Sequence, residues 1–80
     1  MITANTLQTL TNFGPRDLAT LLANSGYTGA VFKRAKFLGI TNGGQFCYKV
    51  TYYDESGTGE EEGKVFLTYD RASNTVSADY

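Results

Sequence analysis

Eighty residues make one domain at most, and a chain this short buries only about 60–65% of its unfolded surface, so its core is thin. A single cysteine, Cys47, excludes an internal disulfide, and with no histidine in the chain a Cys/His zinc cluster is excluded as well. A net charge of −1 creates no overall attraction to nucleic acid or membrane, and no apolar run reaches the ~18–20 residues of a membrane span.

The first segment, 3–12, places Leu7 and Leu10 three residues apart with Thr3 available as an N-cap, which predicts a short helix weakened by its threonines. The next signal is stronger. Pro15 suits a first helical position, Gly14 an N-cap and Asp17 the third position, from which a carboxylate reaches back to the cap. Leu18, Leu21 and Leu22 form an apolar stripe, Phe13 and Leu18 are spaced as a hydrophobic staple, and Asn24-Ser25-Gly26 supplies a stop. A helix over 15–24 follows.

After Gly29 the hydrophobic period changes from 3.6 to 2. Strands are expected at about 30–40, 45–53, 64–70 and 75–80, with a tight turn at Thr41-Asn42-Gly43-Gly44 and another at 71–74. Phe46, Tyr48, Val50 and Tyr52 share one face of the second strand. Cys47, Lys49, Thr51 and Tyr53 share the other. Val65, Leu67 and Tyr69, then Val76, Ala78 and Tyr80, give the later strands their inner faces. The first strand is irregular, because Lys33, Arg34 and Lys36 interrupt its apolar residues, and a bulge near Arg34-Ala35 would restore one inner face. Short connections make the sheet an antiparallel meander, and the N-terminal helical segment is what can cover its apolar face. The fold class is α+β, one domain over 1–80.

Three clusters are candidate sites. The basic group Lys33, Arg34 and Lys36, which Lys49 and Lys64 could join across strands, either protects a sheet edge, contacts a protein or binds single-stranded nucleic acid. Tyr53 and Phe66 are aromatic residues on the outer sheet face, which either mark an interface or are covered within the monomer by the helix or the N-terminus. The acidic stretch 54–62, including Glu60, Glu61 and Glu62, is either a solvated loop or a contact for a basic surface, and its spacing departs from the EF-hand pattern. Cys47 has no histidine to activate it and is expected to be an inert, buried thiol. No dinucleotide or phosphate-loop glycine pattern is present, and no nucleophile, base and oxyanion set assembles.

In size, tyrosine content and lack of histidine the chain resembles small proteins encoded by phages and mobile elements. Some of these inhibit a host protein by occupying its surface, and no residue role is carried over from the resemblance. The expectation is a non-enzymatic protein–protein interaction module without cofactor or metal, a small phage-type or regulatory inhibitor. It would act sterically through the outer sheet face and the acidic loop. The alternative is a single-stranded nucleic-acid-binding protein using the basic and aromatic first strand. A homodimer through the outer face would also cover it. The segment Met1–Asn5 lacks the basic and apolar regions of a leader, and with one free thiol this points to the cytoplasm, the host cell's if the protein is viral.

Overall fold

The computed structural model describes residues 4–53 and 56–80; the expected cap Thr3 and the loop acids Asp54 and Glu55 lie outside them. Two helices, α1 (Ala4–Leu10) and α2 (Pro15–Asn24), precede four strands, β1 (Arg34–Ile40), β2 (Phe46–Tyr53), β3 (Glu60–Asp70) and β4 (Thr75–Asp79). The strands form one antiparallel sheet in the order β1-β2-β3-β4. The fold is α+β, a helical layer on a meander.

Local chemistry sets the ends of α2. The Asp17 carboxylate accepts a hydrogen bond of 2.9 Å from the Gly14 amide, which satisfies a donor at the helix start. At the other end the Tyr27 amide donates to the Leu22 carbonyl and the Gly26 amide to that of Ala23. This paired closure requires a residue of positive φ, and Gly26 supplies it at +102°.

The helices cover the inner sheet face. Leu10, Leu18 and Leu22 pack on Phe46, Tyr48, Val50, Val65, Leu67 and Ala78, all buried. Helix α1 crosses the end of the sheet where β1 and β3 finish: Leu7 and Thr11 border Phe37 and Ile40, while Thr6 and Leu10 border Tyr69 and Val76. Helix α2 runs against β4 towards the opposite end. The Tyr48 hydroxyl joins the two helices, accepting from the Phe13 amide at 3.1 Å and donating to the Leu10 carbonyl at 2.5 Å. No helix among the described residues is long and apolar enough to cross a membrane.

The sheet departs from expectation in three places. First, β1 starts at Arg34 and not near Ala30, because the segment before it is drawn off the ladder where Phe32 stacks on Tyr80. Second, β3 starts at Glu60, so Glu60, Glu61 and Glu62 belong to a strand and not to the loop. Residues Glu60–Gly63 pair with Val50–Tyr53. Third, the bulge is at Leu38, not at Arg34-Ala35: Phe37 pairs with Tyr48 and Gly39 with Cys47, which leaves Leu38 without an opposite residue. From Arg34 to Phe37 simple alternation holds, with the cations outward and Ala35 and Phe37 partly buried, so no irregularity is needed there. Gly39, at φ +149°, takes the bulged conformation, and beyond it Ile40 returns to the side of Phe46.

Candidate functional site

The outer sheet face is not covered by either helix, and the register decides what it presents. Lys36 stands opposite Lys49, and Lys49 opposite Lys64, so three lysines form one row across β1, β2 and β3. Residues directly opposite have Cβ atoms about 4.5–5.5 Å apart, and like charges in that position destabilise a sheet. Among the described residues the row has one acidic contact, Lys49 Nζ to Glu62 Oε1 at 3.7 Å. Lys36 and Lys64 are exposed and make no ion pair with a described residue.

On one side of the row Arg34, Thr51 and Glu62 lie in register. Thr51 is buried beneath its longer neighbours despite facing outward. Further along, Glu60 stands opposite Tyr53. Its carboxylate takes Arg34 Nη2 at 2.8 Å on one oxygen and Lys33 Nζ on the other. Those two hydrogen bonds hold the Glu60 carboxyl well below the usual range, at about 2. The Lys33 ammonium also sits 5.3 Å from the centre of the Tyr53 ring, which is itself half exposed.

On the other side of the row lie Gly39, Cys47, Phe66 and Asp79. Cys47 is buried here, with a free thiol. Phe66 is half-buried. The outer face therefore brings together Lys33, Arg34, Lys36, Lys49, Tyr53, Phe66, Glu60 and Glu62. Glu61 is separated from them: it stands opposite Tyr52 on the inner side. The aromatic neighbours of the basic cluster are separated too. Phe32 stacks on Tyr80, with ring centres 5.9 Å apart, and Phe37 packs on Phe46 and Tyr48.

A second feature has no local signal in the sequence. At the end of the sheet away from α1, Tyr27, Phe32, Tyr52, Tyr53 and Tyr80 line a cleft. These residues come from three separate parts of the chain, so only the fold reveals the group. No cluster of three or more metal-ligating side chains occurs among the described residues.

No family model matches the chain, and no curated protein or solved structure is significantly similar to it.

Proposed function

We propose that the chain is a non-enzymatic binding module that docks an acidic protein surface on the outer face of its sheet. The observation that carries this reading is the row Lys36–Lys49–Lys64. Three like charges held side by side work against folding, and an anionic partner would relieve that repulsion. Tyr53, exposed at the end of the face, is an aromatic anchor of the kind that concentrates binding energy. The mode of action is steric: a flat cationic sheet covers part of its partner. A phage-type or other regulatory inhibitor in a cytoplasm is the setting that fits, and the free Cys47 thiol suits a reducing compartment.

Single-stranded nucleic acid is the second reading, favoured by the same lysine row. It has fewer stacking surfaces than the sequence suggested, because Phe32 and Phe37 are engaged away from the lysines and Tyr53 remains. The test is affinity capture from the source cell with wild type, Lys36→Gln/Lys49→Gln and the remote control Arg71→Gln. The proposal predicts a protein captured by wild type and control and lost from the double variant. A partner retained by all three contradicts it. Tight, steeply salt-dependent binding of a mixed oligonucleotide with no protein captured supports the second reading instead.

A further inference from the structure

The cleft at the end of the sheet lies apart from the lysine row, with Tyr53 at the border between the two, and no cation lines it. It is a cleft of about 600 Å³, open to solvent on one side and within the size range of small-molecule sites. The Phe32 and Tyr80 rings are nearly parallel, at 11°, and Tyr52 tilts against Tyr80 with ring centres 6.4 Å apart. Tyr27 and Tyr53 complete the aromatic lining. A gap in the inner face makes this packing feasible. Gly63 lies beneath Tyr80, and a Cβ there would come within 3.1 Å of the Tyr80 hydroxyl. Tyr27, Tyr53 and Tyr80 each remain about half exposed, so the cleft is lined by rings that are not used up in the core.

The charges around the cleft favour a cation. No lysine or arginine lines it. Asp79 accepts a 2.7 Å hydrogen bond from the Tyr27 hydroxyl. Burial, the Tyr52 hydroxyl and the Glu61 charge together push the Tyr80 hydroxyl up to about 12, which places Glu61 within electrostatic reach of the cleft. Lys33 and Arg34, which follow Phe32 in the chain, share the one carboxylate of Glu60 and keep one net positive charge on the Tyr53 side of the cleft, away from Tyr52 and Tyr80. One of the rings already holds an ammonium, since Lys33 Nζ sits over Tyr53. Aromatic faces clustered around a cavity, with an acid opposite one of them, attract organic cations through the ring quadrupoles.

We propose that this aromatic cleft binds a small alkylammonium ion of the trimethylammonium class. Its methyl groups would rest on the Tyr52, Tyr80 and Phe32 rings, and its charge would be drawn by Glu61, which stands opposite Tyr52. An uncharged ligand of the same shape would gain the apolar contact alone.

The test uses the whole chain and follows tyrosine ring signals by NMR. Choline chloride is titrated against its neutral carbon isostere 3,3-dimethyl-1-butanol, with sodium chloride as the ionic-strength control. The expected result is a set of ring shifts at Tyr52 and Tyr80, with choline bound about tenfold more tightly than the isostere. Glu61→Gln keeps the folded spectrum and weakens choline several-fold. Tyr52→Leu loses the choline shifts at Tyr80. Equal affinity for the isostere overturns the proposal, as do ring shifts no larger than sodium chloride produces. The comparison of the two ligands on wild type decides the matter even if Tyr52→Leu does not fold.

Discussion

Tyr48 does more than fill space. Its ring is buried in the core, and its hydroxyl serves the last carbonyl of α1 and the amide of Phe13 at the same time. Replacing it with phenylalanine keeps the volume and strands two backbone groups. Tyr48→Phe should cost about 1–3 kcal/mol in denaturant unfolding, with the sheet retained by circular dichroism. A loss within error of zero would show that water replaces the hydroxyl. The inward position of Tyr48 was legible from its place between Phe46 and Val50, but its hydrogen bonds were not, because both partners lie more than thirty residues earlier. The Asp17–Gly14 cap was legible, because it is local: a carboxylate three residues after a cap has one short route to the backbone.

At the scale of elements, the same distinction explains which boundaries could be read. Helix α2 carries its own start and stop chemistry, and it runs over the expected Pro15–Asn24. The start of β3 is different. Glu60-Glu61-Glu62 resembles a solvated loop until its counter-charges are known, and those come from Arg34 on β1, Lys33 just before it and Lys49 on β2. Glu60 ties β1 to β3 across the intervening β2. Because its folded pKa, about 2, lies below the ordinary 4.5, this contribution is complete above about pH 4.5 and is lost as the pH falls towards 2. The group is exposed, so the effect is modest and salt-sensitive. Glu60→Gln should melt below wild type at pH 6 in low salt, and the difference should shrink as the pH approaches 2. A difference that does not change with pH would mean that the ion pairs add nothing to stability. The Leu38 bulge was misplaced for a related reason: the charges in β1 look like interruptions but are its outward residues, and the real irregularity sits where Gly39 permits it.

Across the whole molecule, the two faces of the sheet are built on different principles. The inner face is a small apolar core closed by two short helices. The outer face carries five of the chain's seven basic side chains, counting Lys33, which reaches it through Glu60. The clustering of Lys33, Arg34 and Lys36 was visible in the sequence. That Lys49 and Lys64 could join it across strands was visible too, but their alignment in one row with Lys36 depends on register, which the two β-strand pairings fix. The tyrosine cleft depends on three distant segments meeting, and it was not legible at all.

If the lysine row is kept for binding, relieving its repulsion should separate stability from function. Lys64→Glu places a carboxylate directly opposite Lys49, which should stabilise the fold by about 0.2–1 kcal/mol while opposing an acidic partner. The most direct test is the affinity of this variant for the partner that wild type captures, measured on protein shown to unfold no earlier than wild type. A loss of tenfold or more is the predicted result. An affinity equal to that of wild type would contradict the assignment of the outer face as the binding surface.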